Sequence, residues 1–234
     1  MVYAMSDIHG QYDAFIKMLE TINFSEKDTL YILGDIIDRG EKSVELFDYI
    51  KSHKNIKMIL GNHEKMMLDY FHNYTSKLQR PRLLQLWVDN GGNKTIDSIL
   101  KSKNSDEKIK EMVDYFNALP LYIDVKIGKK KFLLCHAGMV YRKNFSLEEN
   151  IEMNLKNDEI LWRRTPSYNT GAYVIVHGHT QSAYFFGDNT IVAYCGEKAI
   201  DIDCGAASKS RLGCLCLDNY QTYFVEIGVD CDAN

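Results

Sequence analysis

The chain lacks any apolar run near the roughly 18 residues that a membrane-spanning helix needs, and none is expected in its 234 residues. It lacks the pattern of a secretory leader, since Asp7 follows almost at once after Met1. The expected location is therefore the cytoplasm, without membrane contact. It lacks paired cysteine spacing: the six cysteines (135, 195, 204, 214, 216 and 231) include no CxxC. That argues against a zinc cluster and for small buried apolar side chains in a reducing compartment. It lacks an excess of positive charge. A net charge of −4 gives no global basic field to draw the chain onto nucleic acid, although a local basic patch around a phosphate remains compatible with it. Repeats, linkers and low-complexity stretches are also missing.

What is present is one domain's worth of ordinary globular sequence, 45% apolar and 26% charged. Its centre is Gly34-Asp35-Ile36-Ile37-Asp38-Arg39-Gly40, entered from the apolar run Thr29-Leu30-Tyr31-Ile32-Leu33. That run reads as a buried strand. The two carboxylates and the arginine that follow suggest a site for metal and phosphate together, with glycines allowing tight turns and close approach. The same grammar recurs four more times. Asp7-Ile8-His9-Gly10 follows Val2-Tyr3-Ala4-Met5, and Gly61-Asn62-His63-Glu64 follows Ile56-Lys57-Met58-Ile59-Leu60. His136-Ala137-Gly138 follows Phe132-Leu133-Leu134-Cys135, and Gly178-His179-Thr180 follows Tyr173-Val174-Ile175-Val176. Ligands of open α/β sheets bind outside the carboxyl ends of strands, so five strand ends could converge on one site.

The order β-α-β-α-β over the first 60 residues predicts parallel pairing. Helices are expected over 11–23 and 43–53, and a helical insertion over 65–118 within a single domain of residues 1–228. Asn90-Gly91-Gly92-Asn93 reads as a helix C-cap, or else an anion-binding turn. A hairpin is expected around Gly128-Lys129-Lys130, a charged helix over 146–157, strands from 173 onward, and a frayed tail over 229–234.

Asp7, His9, Asp35, Asn62, His136 and His179 make a mixed oxygen and nitrogen set suited to Mn, Fe or Zn rather than Ca or Cu(I). The number of ligands exceeds one tetrahedral ion and fits two, with Asp35 as the shared carboxylate. Two ions roughly 3.5–4 Å apart can hold a hydroxide and clamp a phosphoryl group for in-line attack. His63, next to Asn62 on a segment read as extended, should diverge from it and serve as general acid, with Asp38 holding its tautomer. Arg39 and Arg164 can grip phosphate oxygens. His53, His72 and His177 read as core histidines, although His177 would share a strand face with His179. No Cys–Arg loop or serine triad supports a covalent mechanism.

These five motifs, in this order, resemble the calcineurin-like metallophosphoesterases, and within them the bacteriophage lambda-type serine/threonine protein phosphatases. The resemblance runs from about Tyr3 to Ala206 and takes in Trp87-x-x-Asn90-Gly91-Gly92, Leu119-Pro120-Leu121 and Ile202-Asp203-x-Gly205. It implies a two-sheet α/β sandwich flanked by helices. It implies that Asp7, His9 and Asp35 bind one divalent ion and Asp35, Asn62, His136 and His179 the other, with Mn²⁺ as the first choice. His63 and Asp38 become the catalytic pair, and Arg39, Arg164 and Asn62 face the substrate. Arg163, beside Arg164, leaves that register open, and Ser6 stands where the family often has glycine. The expected activity is hydrolysis of phosphoserine and phosphothreonine, extending to phosphotyrosine, on a phosphorylated protein or peptide. The rivals are a dinucleoside polyphosphate hydrolase, or another nucleotide phosphoesterase, with the same metal site, and a binding module that kept the fold without catalysis.

Overall fold

The first three apolar runs form three adjacent parallel strands in the computed structural model, which describes residues 1–72, 79–194, 196 and 198–228. They are β1 (Val2–Met5), β2 (Thr29–Ile32) and β3 (Ile56–Met58), connected through α1 (Tyr12–Thr21) and α2 (Ser43–Ser52). Four helices follow: α3 (Asn62–His72), α4 (Gln79–Trp87), α5 (Asn93–Lys101) and α6 (Ser105–Asn117). The hairpin is β4 (Tyr122–Ile127) and β5 (Lys130–Cys135), antiparallel, with Lys130 inside the second strand. Then come β6 (Val140–Tyr141), α7 (Leu147–Lys156), α8 (Glu159–Trp162), β7 (Tyr168–Asn169), β8 (Val174–His177), α9 (Ser182–Phe186), β9 (Val192–Tyr194) and β10 (Ala199–Asp201). The strands β11 (Arg211–Cys216) and β12 (Thr222–Glu226) return to the first sheet.

The strands make two five-stranded mixed sheets, β12-β11-β1-β2-β3 and β4-β5-β8-β10-β9. Period-two alternation builds the layers. Ala4, Tyr31 and Leu33 of one sheet meet Phe132, Leu134, Val176 and Ile200 of the other in a shared inner core. Their neighbours Tyr3, Met5, Leu30 and Ile32 face outward, onto Phe15, Met18, Phe47, Met66, Met67, Trp87, Met112 and Phe116 of the helices. On the far side, Leu133, Cys135 and Ile175 pack on Ile151, Ile160 and Leu161. The fold is the expected α/β two-sheet sandwich flanked by helices.

The parallel pairs β1–β2–β3 and β5–β8–β10 put six carboxyl ends at one edge of the sandwich. Two local expectations need correction. Asn62 and His63 open α3 rather than extending from β3, so they diverge by the turn of a helix. Asn90 to Gly92 does not end a helix freely: it is a kink between α4 and α5, made by Gly91 at φ +101°. The tail over 229–234, Cys195 and Cys231 lie outside the described residues. Among the described residues, no helix is long and apolar enough to cross a membrane.

Candidate metal centre

Six of the ten non-glycine residues with positive φ among the described residues are Asp7, His9, Asp35, Asp38, Arg39 and His179. Such conformations cost on the order of 1–3 kcal/mol each and persist where the surroundings over-determine them. At Asp35 Glu64 does that work. Its buried carboxylate accepts the backbone N–H of Asp35 (2.9 Å), Ile36 (2.9 Å), Ile37 (3.4 Å) and Gly61 (3.0 Å). Burial pushes this carboxyl up to about 7, against the pull of those donors. Gly61 is required by the close approach: a Cβ there would lie 2.2 Å from Asp35 Oδ1.

Around Asp35 the imidazoles are aimed by their far nitrogens. His136 Nδ1 donates to the Leu33 carbonyl (2.7 Å) and His9 Nδ1 to the Ile37 carbonyl (2.9 Å). A neutral imidazole that donates from Nδ1 carries its lone pair on Nε2. His136 Nε2 then faces two acceptors, Asn62 Oδ1 at 2.7 Å and Asp35 Oδ2 at 3.4 Å. His9 Nε2 lies 3.7 Å from the same Asp35 oxygen. His179 places Nδ1 2.8 Å from Asn62 Oδ1, and its buried Nε2 has no hydrogen-bond partner among the described residues. The Nε2 lone pairs of His136 and His9 thus converge on the Asp35 carboxylate with no proton between them, which calls for a cation. Two ligand atoms each about 2.1 Å from one ion at a tetrahedral angle stand roughly 3.4 Å apart, in line with the 3.4 and 3.7 Å separations at Asp35 Oδ2, while the 2.7 and 2.8 Å contacts to Asn62 Oδ1 are shorter. The group Asp35, His136 and His179 and the group His9, Asp35 and His63 each bring one ligand atom per residue within 4.8 Å of one another.

Burial keeps these imidazoles neutral. Desolvation, followed by neighbouring His63 and Arg39, pushes His9 well below the usual histidine range. Desolvation likewise lowers His136 and His179. Asp35 is pushed well up, first by desolvation and then by Asp7 and Glu64, a penalty that a bound cation offsets. Asp7 Oδ2 accepts the backbone N–H of His179 (2.8 Å) and the Ser6 hydroxyl. Ser6, small enough for the position, thus contributes a donor that glycine cannot.

His63 differs from the other histidines. Its Nδ1 donates to Asp38 Oδ2 (2.6 Å), but its Nε2 already has a donor, Arg39 Nη2 at 3.1 Å. Its lone pair is satisfied, so its place among the ligands is weaker than that of His9. Arg164 lines the same cavity as His9, Asp35, Arg39, Asn62 and His63. Arg163 instead pairs with Glu159 and donates to the Pro166 carbonyl (3.1 Å). His177, buried, sits 2.6 Å from the Tyr194 hydroxyl, and burial lowers it to about 4. His53 stacks on Tyr49 at 4.1 Å, and His72 is exposed at the end of α3.

The pattern of the calcineurin-like phosphoesterases matches residues 1–204. The chain belongs to that family. Its curated relatives include the symmetrical bis(5'-nucleosyl)-tetraphosphatase of Escherichia coli O1:K1 / APEC, 30% identical over 140 residues, 58% of this chain and 43% of that protein. That of Salmonella paratyphi C (strain RKS4594) is 29% identical over 139 residues, with the same shares. The match thus spans less than half the length of these relatives. Among solved structures, a proposed diadenosine tetraphosphatase superposes with a TM-score of 0.65 at 18% identity, covering 96% of this chain and 92% of that one. A Saccharomyces cerevisiae protein serine/threonine phosphatase gives 0.61 at 16% identity, covering 96% and 79%. These two likenesses carry the fold.

For a member of this family, which typically holds divalent metal, the donor set fits. Two residues that no motif reading assigned to the site also belong to it. Trp87 Nε1 donates to both Asp38 oxygens at 3.0 Å. The Thr95 hydroxyl donates to Asp38 Oδ1 (2.6 Å) and accepts the Asp38 backbone N–H (2.8 Å). Gly91, at the kink, accepts the Arg39 backbone N–H (3.1 Å). The helices after β3 therefore fix both Asp38 and Arg39.

Proposed function

We propose that this chain is a metal-dependent phosphoesterase that hydrolyses nucleoside polyphosphates, with dinucleoside tetraphosphates as the reference substrate. The observation that carries the hydrolytic part is the convergence of unprotonated imidazole nitrogens and the Asn62 oxygen on the Asp35 carboxylate. Asp35 would be shared by two divalent ions, Mn²⁺ first and Fe or Zn as alternatives. Asp7 and His9 would complete one site, and Asn62, His136 and His179 the other. The ions, when bound, supply Lewis-acid charge and a deprotonated water at neutral pH.

The chain's own groups do the rest. Arg39 and Arg164 orient the phosphoryl group through forked, charged hydrogen bonds. Desolvation, then Arg39, His136 and Arg164, hold His63 well below its ordinary pKa. An anionic phosphoryl group that engages both arginines offsets part of their charge and raises the proton affinity of Nε2. Asp38 keeps Nδ1 protonated, so Nε2 is the nitrogen that holds and delivers a proton to the leaving oxygen.

The substrate class rests on the curated relatives, which share 29–30% identity over 139–140 residues, 58% of this chain. Hydrolysis of phosphoserine or phosphothreonine in proteins is the second reading, and the yeast phosphatase supports it through shared fold. The test is a panel under identical Mn²⁺ conditions: diadenosine tetraphosphate, nucleotides, and phosphoserine, phosphothreonine and phosphotyrosine peptides. The expected outcome is the highest kcat/KM on the dinucleotide, lost on chelation and restored by Mn²⁺. Higher kcat/KM on the peptides would overturn the substrate reading.

A further inference from the structure

The cavity over the metal centre, about 420 Å³, is larger than one phosphoryl group needs, and its second half is built from α9. On one side lie Asp35, Arg39 and Arg164, and on the other Gln181, Ala183 and Tyr184. Tyr184 is 77% exposed although it forms a cavity wall. An aromatic ring left largely in water at the mouth of a phosphate pocket contributes little burial to the fold, and most of its surface is open to a ligand. It is held edge-to-face by Phe185 at 5.1 Å.

The platform is rigid. The Ser182 N–H donates to the Asp203 carbonyl (2.9 Å), in the wall of the same cavity. The buried Ser182 hydroxyl donates to the Asp188 carbonyl (3.0 Å) and accepts the Thr190 N–H (3.0 Å). The Gln181 carbonyl oxygen accepts from the Ser208 hydroxyl (3.2 Å), which leaves its NH₂ group as a donor. A flat aromatic face, a small neighbour in Ala183 and an oriented amide donor are the parts with which proteins hold an unstacked base.

We infer that α9 forms a nucleoside subsite, in which Tyr184 stacks on the base attached to the phosphate at the metal centre and Gln181 donates to the base edge. This rests on the reading of the centre as a nucleotide phosphoesterase, and it names the residues that would recognise the nucleoside. Peptide aromatics are the competing occupant.

The experiment compares two competitors of equal charge that differ only in the base, AMP and ribose 5-phosphate. Both are measured as inhibitors of p-nitrophenyl phosphate hydrolysis at saturating free Mn²⁺. Wild type should bind AMP more tightly by roughly 5- to 150-fold, the span expected for one stacked base. Tyr184→Ala should bring the ratio of the two inhibition constants near one, and Tyr184→Phe should keep the wild-type ratio. A ratio near one in wild type, or the same ratio in wild type and Tyr184→Ala, overturns the subsite. Weaker binding of a phosphotyrosine peptide to Tyr184→Ala, alongside a wild-type ratio near one, assigns the wall to peptides and also overturns it. A preserved AMP advantage without turnover of diadenosine tetraphosphate would instead overturn the substrate reading and leave the subsite standing.

Discussion

Thr95→Val replaces a hydroxyl by a methyl group in the cluster behind His63. Thr95 is fully buried and valine has its shape, so no cavity opens. Two bonds to Asp38 are lost together, the hydroxyl to Asp38 Oδ1 at 2.6 Å and the Asp38 N–H to the hydroxyl at 2.8 Å, along with a longer contact to the Ser43 hydroxyl at 3.3 Å. A hydrogen bond to a charged group contributes about 1.5–3 kcal/mol, and a buried orphaned N–H costs about 1–3, so about 3–5 kcal/mol of destabilisation is expected. For a chain of this size that is a fall in Tm of roughly 6–20 °C. Thr95→Ser keeps both bonds and should lose only about 1 kcal/mol for its methyl group. The assay is urea unfolding of the chelated protein, closed as a cycle with Asp38→Asn, where the two sites should couple by more than about 1 kcal/mol. The same substitution should lower kcat most on substrates with basic leaving groups, because Asp38 then holds His63 less firmly. A loss below about 1 kcal/mol, or strict additivity with Asp38→Asn, would refute the assignment of Thr95 to the Asp38 environment.

Arg164→Ala should weaken competitive inhibition by phosphate by about one to two orders of magnitude, the worth of a charged hydrogen bond, while metal content stays constant. If Arg163→Ala does this and Arg164→Ala does not, the grip on phosphate lies one residue earlier. His63→Asn should steepen the dependence of kcat on leaving-group pKa across aryl phosphates without releasing metal, and parallel lines for mutant and wild type would remove His63 from proton delivery. His177, lowered to about 4 by burial, binds its proton more weakly folded than unfolded, so stability is lost as pH falls from about 6.5 toward that value. The expected loss is about 2 kcal/mol between pH 8 and pH 5, read by urea unfolding of chelated protein. His177→Gln should flatten that slope, and an unchanged slope would show that the acid sensitivity lies elsewhere.

The strand-end motifs were legible because each couples a short apolar run, readable by its bulk, to residue types that only a cation or an anion rationalises. β1, β2, β3, β5 and β8 lie where those runs are. Sequence spacing could not show that Trp87 and Thr95, 49 and 57 residues beyond Asp38, close around it. That contact depends on the kink at Gly91, which read as an ordinary helix end. Neither α9 nor the small β6–β7 pair was foreseen, since segments of five and two residues carry no usable periodicity. The choice between Arg163 and Arg164 could not be read either. The two are adjacent, and only the turn after α8 sends one to Glu159 and the other into the cavity.

The central claim is that one carboxylate, Asp35, is shared by two ions. It is tested most directly by counting bound Mn²⁺, through calorimetric titration and elemental analysis, in wild type, His9→Asn, His179→Asn and Asp35→Asn. The account predicts two ions per chain in wild type, one in each histidine variant, and weakened binding at both positions in Asp35→Asn. One ion per chain in wild type, or two undiminished ions in Asp35→Asn, would contradict it.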